Sequence, residues 1–288
     1  MIIFFFLLSL VILLSVTGYG LLMLKVINHK DLNYNYGLAG ILGLFFLSIF
    51  SSYSHIILSH NFLFNIIIIT IGFFLLLFFS KLNLKETKYL TIIFSLLFIA
   101  FIISKTNEDY AYYHLPNALQ FAQQKLQFGL GNINHGFKHI SSLFMLMSLN
   151  YLPFVEHYFF NLTNFCFLVF FVYFIYKEIY YRSKNNHNIS LILLALFLIL
   201  ILVKFSRIAE YGADIAGQII LSIYVFYNFE LIFNNKLNYQ NKILYTKISL
   251  FLLIFAITTK FILVIYSLIV FLSLFYLKEK KKINFKFI

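Results

Sequence analysis

Long apolar runs separated by short polar stretches dominate this sequence. A membrane-spanning helix needs about 20 mostly apolar residues. The final run is interrupted by Thr258, Thr259 and Lys260, which predicts two short helices folded into a hairpin. The pattern as a whole predicts an all-α membrane protein with about 8–10 transmembrane helices. The runs cover residues 2–24, 36–57, 62–79, 89–103, 157–176, 189–203, 215–233 and 248–277.

One polar stretch, residues 104–139, separates the fourth run from the fifth. Apolar residues recur at helical spacing through residues 108–125, which predicts a helix lying on the membrane surface. Residues 140–152 are apolar but too few to span, and Pro153 ends them, so a second surface helix is expected there. One membrane domain is therefore predicted, in three parts: four spans in 1–103, a polar loop in 104–153, and further spans with a basic tail in 154–288.

The composition agrees with a membrane location. Of the 288 residues, 62% are hydrophobic and 11% are charged. Soluble domains are about 45–50% apolar and about a quarter charged. A soluble domain could not bury this many apolar side chains and still keep a polar surface towards water. The single cysteine, Cys166, excludes a disulfide framework and a cysteine-based metal site.

The net charge of +12 is explained by topology. Lys and Arg prefer cytoplasmic loops. With the N-terminus outside the cytoplasm, 16 of the 22 basic residues fall on inside loops and the C-terminal tail, and the polar loop lies outside. The positive charge therefore does not indicate a nucleic-acid partner.

Charged residues from three distant segments are expected at the outside face. Charges near or within a span are costly unless paired or hydrated, so they mark candidate functional positions. A helix broken at membrane depth is tolerated mainly where it lines a cavity. The candidates are Glu108 and Asp109 in the polar loop, Lys204, Arg207, Glu210 and Asp214 around the next outside turn, and Lys260 in the broken final run.

The same residues could instead have purely structural roles. Residues 106–109 also fit the start of a helix, with Thr106 as its cap. Lys204 and Arg207 could extend to the membrane interface, and Arg207 could pair with Glu210 and Asp214, which are one helical turn apart.

Histidines and tyrosines of the polar loop add candidates for ligand binding. His135 and His139 are one turn apart, but no third fixed ligand accompanies them, so the spacing does not favour a metal site. His114 and these histidines are expected to contact a substrate phosphate or to order the loop. Tyr112 and Tyr113 could stack on a sugar or anchor the loop at the interface.

The polar loop also resembles a known family. The string Asp109-Tyr-Ala-Tyr-Tyr-His-Leu115, then Gly129-Leu-Gly-Asn132 and Ser141-Ser142, resembles the GT-C glycosyltransferases and, more closely, a bacterial membrane family similar to them. GT-C enzymes are polytopic and transfer a sugar from a polyprenyl-phosphate carrier. The resemblance covers residues 106–153, with weaker similarity at 207–218 and 257–261.

The resemblance implies an activity and a set of site residues. Asp109, or Glu108 beside it, would be the catalytic base, and Lys260, Arg207 and His114 would bind the donor phosphate. Substrate contacts would come from Tyr113, Asn132, Glu210 and Asp214. The resemblance establishes no cofactor; some GT-C enzymes use a divalent ion, and Asp109 with Asp214 could hold Mg²⁺ or Mn²⁺. The implied partners are a polyprenyl-phosphate-linked sugar and membrane lipids, at the periplasmic face of the bacterial inner membrane.

Two departures from the GT-C pattern keep other functions open. Four spans precede the acidic loop, where GT-C enzymes commonly have one, and the chain ends soon after the broken run, so a minimal or C-terminally truncated version is expected. A transporter or flippase for a lipid-linked or anionic substrate is the alternative, and a non-catalytic assembly subunit with a lipid-binding basic tail is another. The charged residues are expected to cluster at one face, with almost none in the inside half of the spans, and this pattern favours an enzyme over a carrier.

Overall fold

The computed structural model describes residues 2–27, 35–79, 84–103, 108–139, 141–184, 188–208, 212–234 and 236–279. All regular secondary structure in these ranges is helical, without a strand, which confirms the predicted all-α membrane fold. Four short non-α helices are Tyr110–His114 (a π-helix) and the 3₁₀ helices His135–Lys138, Glu156–Phe159 and Phe261–Tyr266. The α-helices are α1 Ile2–Val26, α2 Tyr36–Ile57, α3 Phe62–Phe79, α4 Leu84–Ile102, α5 Leu115–Gln123, α6 Leu130–Ile133, α7 Ser142–Ser148, α8 Leu162–Lys184, α9 Asn188–Ile208, α10 Ala213–Phe233, α11 Tyr239–Thr259 and α12 Ser267–Glu279.

Six helical segments of the described chain are long and apolar enough to cross a membrane. They are α1, α2, α3, α10, α11 and the segment Glu156–Lys184, which contains α8. Helix α4, with 19 residues, and α9, with 21, are of similar length. The chain is therefore a multi-pass helical membrane protein.

Small residues let the first three helices approach closely. A Cβ added at Gly20 of α1 would lie 1.6 Å from the carbonyl oxygen of Ala39 in α2, and one at Gly18 would lie 2.0 Å from that of Gly72 in α3. Membrane helices associate through such contacts because lipid provides no hydrophobic drive between them. Helices α1–α3 thus form a tightly packed unit.

The polar loop carries the two predicted helices, with different environments. The first is the π-helix followed directly by α5. The second, α7, is shorter than residues 140–152 and is buried, packing against α2, α5, α8 and α11. Six of the seven residues of α7 are buried, so this helix is enclosed by the bundle rather than laid on a surface; they are Ser142, Leu143, Phe144, Leu146, Met147 and Ser148.

The turn between α2 and α3 fastens the polar loop to the bundle. The His60 amide donates to the carbonyl of Phe121 in α5 (3.0 Å), and the His60 ring lies between the hydroxyls of Ser54 and Ser148. Nδ2 of Asn65 lies 2.7, 2.9 and 2.8 Å from the carbonyl oxygens of His60, Ser148 and Tyr151. Because these groups are buried, their hydrogen bonds hold α5 and α7 in place.

The predicted break in the last apolar run lies at Lys260. Helix α11 ends at Thr259, and Lys260 is extended (φ −149°, ψ 110°) before the 3₁₀ helix begins. The hydroxyl of Ser141, which also caps α7, donates to the Thr259 carbonyl oxygen at 2.7 Å. The prediction of two short helices was wrong in one respect, because α11 begins at Tyr239 and is a full-length span.

A buried ion-pair network occupies the opposite end of the bundle. Arg182 of α8 contacts Glu230 of α10 (2.5 Å) and Glu178 (3.3 Å). Ser190 of α9 and Asn234 also hydrogen-bond to Glu230. The expectation that this half of the spans is nearly free of charge was therefore wrong. Since each charged group has partners, its desolvation is compensated locally.

Candidate functional site

A cavity of about 310 Å³ lies at the end of the bundle where the polar loop, the start of α10 and the end of α11 meet. Three segments far apart in sequence contribute charged or titratable side chains to it. Five predicted site residues line it together. The titratable lining residues are Asp109, Tyr113, His114, Lys138, His139, Asp214 and Lys260.

The π-helix places the first group of these side chains. Its backbone bond runs from the Leu115 amide to the Tyr110 carbonyl, and Asp109 precedes it without making a side-chain capping bond. The Tyr113 hydroxyl donates to Oδ2 of Asp109 at 3.5 Å, and Asn117 holds the Tyr113 carbonyl at 2.7 Å. A single π-helical turn of this kind is frequent at functional sites. The Asp109 carboxylate is thus presented to the cavity rather than used as a cap.

His114 is a buried, neutral member of the cavity wall. Its side chain is packed against the rings of Tyr113 and Phe144, at centroid distances of 4.3 and 5.3 Å. Burial lowers the pKa of His114 below 6.5, an effect that the Asp109 and Asp214 carboxylates partly oppose. Nδ1 has no hydrogen-bond partner within the described ranges. At neutral pH His114 is therefore an uncharged hydrogen-bonding group with capacity to spare.

Tyr113 remains protonated beside the two carboxylates. Burial raises its pKa, and the negative charges of Asp109 and Asp214 raise it further. The phenol is therefore a lasting hydrogen-bond donor to Asp109. Its ring also packs against the His139 ring at 4.8 Å, which joins the two ends of the polar loop.

An ion pair crosses the cavity mouth between two spans. Nζ of Lys260, at the break after α11, contacts Oδ1 of Asp214 in the first turn of α10. Both side chains are substantially exposed, 44% for Lys260 and 65% for Asp214. Water therefore screens the pair, and an anionic ligand can compete with Asp214 for the ammonium group.

Of the four other predicted site residues, two lie outside the cavity lining and two belong to parts that the structure does not describe. Glu108 and Asn132 are exposed and lie outside its lining. Arg207 belongs to α9, but its side chain is outside the described part of the structure, and Glu210 lies outside the described residues altogether. Conversely, Lys138 lines the cavity although no role was predicted for it, and His139, expected to contact a phosphate or to order the loop, lines it as well. The sequence feature that could have drawn attention to Lys138 is the glycine turn before it, Gly129 to Asn132.

The described donors do not form a metal site. No group of three or more His, Cys, Asp or Glu side chains in the described ranges is placed to hold a metal ion. Asp214, one of the two carboxylates proposed for Mg²⁺ or Mn²⁺, is engaged by Lys260. The chemistry considered for the cavity therefore comes from its carboxylate, phenol, imidazole and ammonium side chains.

Fold and cavity together define a multi-pass helical membrane protein with a charged cavity at one end of its helix bundle. The sequence model of a family described as a domain of unknown function (DUF8201) matches residues 1–288. The chain belongs to this family. No curated protein and no solved structure matches the chain.

Proposed function

We propose that the protein is a membrane glycosyltransferase that moves a sugar from a polyprenyl-phosphate donor to a glycan, lipid or protein acceptor. The observation that carries the proposal is the shared cavity of Asp109 and Lys260, a carboxylate and a cation from distant segments. The sequence resemblance of the polar loop to GT-C enzymes assigns the same two residues to catalysis and to donor binding.

The proposed reaction uses these groups in one displacement. The acceptor hydroxyl attacks the anomeric carbon of the sugar, and its proton passes to the Asp109 carboxylate, which acts as general base. The bond between the anomeric carbon and the phosphate oxygen breaks, and the polyprenyl phosphate leaves with the electron pair. Lys260 stabilises the charge that develops on the phosphate. The hydroxyl of Tyr113 orients Asp109.

The location of the cavity suits a lipid-linked donor. The cavity lies at one end of the spans, where an isoprenoid chain can remain in the bilayer while its phosphate sugar enters. Its volume, about 310 Å³, is at the small end of ligand pockets and suits a sugar phosphate rather than a long glycan. The distribution of basic residues along the sequence supports placing this end at the outer face of the cytoplasmic membrane.

Transport of a lipid-linked or anionic substrate is the second candidate, and the Arg182 network favours it. Ionisable residues within spans are frequent on substrate or ion pathways. However, Arg182, Glu178 and Glu230 are paired with one another and hydrogen-bonded, as in a structural contact between helices. Transferase activity therefore ranks above transport.

The test uses the protein in membranes supplied with radiolabelled polyprenyl-phosphate sugars. Asp109→Asn is expected to lower transfer at least a hundredfold, within the range for loss of a general base, about 10²–10⁴. Glu156→Gln is the control, because this exposed carboxylate lies outside the cavity lining and should leave transfer near the wild-type rate. Absence of donor-dependent transfer with all common sugars, or full activity of Asp109→Asn, would overturn the proposal.

A further inference from the structure

Lys138 is a cation at the cavity for which the described part of the chain offers no ion-pair partner. The other lysine lining the cavity, Lys260, is paired with Asp214. Lys138 makes no ion pair or side-chain hydrogen bond with any residue that the structure describes. A lysine ammonium carries three donors and no acceptor, so the cavity contains an anion-binding group that is still available.

The glycine turn gives the Lys138 side chain a defined place. A Cβ added at Gly131 would lie 3.0 Å from Cγ, 3.6 Å from Cε and 3.9 Å from Cδ of Lys138. The aliphatic stem therefore runs along the bare backbone of Gly131. Gly129 begins this turn at φ 84°, a left-handed conformation that favours glycine. The motif Gly129-Leu-Gly-Asn132 thus provides a surface against which Lys138 packs.

The turn that carries Lys138 is itself fixed to the π-helix. Oδ1 of Asn134 accepts a hydrogen bond from the Gly136 amide at 2.8 Å, at the start of the 3₁₀ helix. Asn117 donates to the carbonyl oxygens of both Tyr113 (2.7 Å) and Gly136 (3.3 Å). The backbone next to the exposed Lys138 side chain is thus tied to the backbone of Tyr113.

We propose that Lys138, supported by Gly131, binds the phosphate group of the ligand that occupies the cavity. The proposal rests on the proposed function, because the donor of that reaction carries a lipid-linked phosphate. Holding a lysine side chain in one arrangement costs up to about 2 kcal/mol of conformational entropy, and packing on Gly131 meets part of this cost before the ligand arrives. Lys260 acts as the second cation once the phosphate displaces Asp214.

Binding of a phosphate lipid that carries no sugar tests this role separately from transfer. Purified protein in nanodiscs of zwitterionic lipid is titrated with polyprenyl phosphate, and Lys138→Gln is expected to weaken binding at least tenfold. Lys125→Gln is the control, since Lys125 is an exposed lysine of the same polar loop outside the cavity lining, and it should change affinity less than twofold. Equal binding by wild type and Lys138→Gln would overturn the proposal.

Two further binding experiments distinguish a lipid-linked phosphate from a free phosphate as the ligand. Inorganic pyrophosphate in place of the lipid, and nanodiscs of phosphatidylglycerol as competitor, present the same chemistry without a polyprenyl chain. Tight binding of polyprenyl phosphate with weak competition from both supports a lipid-linked ligand. Lys138-dependent binding of pyrophosphate at equal affinity supports the phosphate site with a free phosphate as its ligand. Competition by phosphatidylglycerol that is equal in wild type and Lys138→Gln would mean a non-specific surface and overturn the site.

A double-mutant cycle tests the role of Gly131. Gly131→Ala is expected to weaken polyprenyl phosphate binding severalfold, because its Cβ displaces the flexible Lys138 stem. In the Lys138→Gln background the same change should have little further effect, as expected for residues that act as a unit. Fully additive losses would show that Gly131 does not act through Lys138. If no transfer is found with any donor but this binding pattern holds, the glycosyltransferase proposal fails and the phosphate site stands.

Discussion

Nη1 of Arg182 lies 2.5 Å from Oε2 of Glu230, and both side chains are almost wholly excluded from the surface of the protein. Arg182→Met removes the cation and leaves Glu230 and Glu178 without it. Removing one partner of a buried pair typically costs about 3–5 kcal/mol. We therefore expect a large loss of thermal stability in detergent, measured by light scattering or intrinsic tyrosine fluorescence.

Lys184→Met is the control for that experiment. Lys184 is exposed and lies in the same last turn of α8, so its replacement should change stability by well under 1 kcal/mol. An Arg182→Met protein as stable as this control would mean that the network is not a structural contact, and the transport hypothesis would then gain weight.

The Lys260–Asp214 ion pair, unlike the Arg182–Glu230 pair, should contribute little to stability. It is largely exposed, and exposed ion pairs contribute about 0–1 kcal/mol. We expect Lys260→Gln and Asp214→Asn to melt close to wild type, while Lys260→Gln lowers the rate of sugar transfer. A melting temperature that falls as far as in Arg182→Met would contradict the solvent-screened pair described here.

Ser141 should be important for the position of Lys260. Its hydroxyl caps α7 and donates to the last carbonyl of α11. Ser141→Ala is expected to cost about 0.5–2 kcal/mol, the range for a lost N-cap. Ser141→Thr keeps the hydroxyl and should recover most of this stability in the same unfolding assay. Equal stability of the two variants would argue against the capping role.

Acid should loosen the turn between α2 and α3. Burial, together with the neighbouring His55, lowers the pKa of His60 to about 4, from 6.5 in the unfolded chain. Both states are neutral at His60 above pH 6.5; between pH 6.5 and 4 the unfolded state binds a proton that the folded state does not. Stability is therefore present above pH 6.5 and is lost as pH falls, by roughly 3 kcal/mol at most.

A His60→Gln variant checks this pH dependence. Glutamine cannot titrate, so the difference in unfolding free energy between wild type and variant should shrink as pH falls from 6.5 to 4. Other groups titrate equally in both proteins and cancel in the comparison. A difference that stays constant across this range would assign the acid sensitivity to other groups.

Much of the bundle could be predicted because apolar length depends on local sequence. The spans at residues 36–57 and 62–79 coincide with α2 and α3, and the interruption at Lys260 marks the end of α11. The burial of α7 was not predictable from its length alone, because its environment is set by α2, α5, α8 and α11.

The cavity was predictable only in outline. Three polar segments on one side of the membrane had to meet at one end, and Asp109, Asp214 and Lys260 do so. The π-helix, the packing of Lys138 on Gly131 and the pairing of Arg182 with Glu230 depend on three-dimensional contacts. These three features could not be predicted from residue spacing, because the groups that meet come from different turns or different helices.

Asn65 joins α3 to the polar loop through a side-chain amide that faces three backbone carbonyl oxygens. In a soluble protein, three carbonyl oxygens converging as those of His60, Ser148 and Tyr151 do would commonly enclose a buried water molecule. Here one amide nitrogen, fixed to the first turns of α3, takes that place. Because the donor is covalently attached to α3, the position of that helix itself fixes where the three carbonyl oxygens meet.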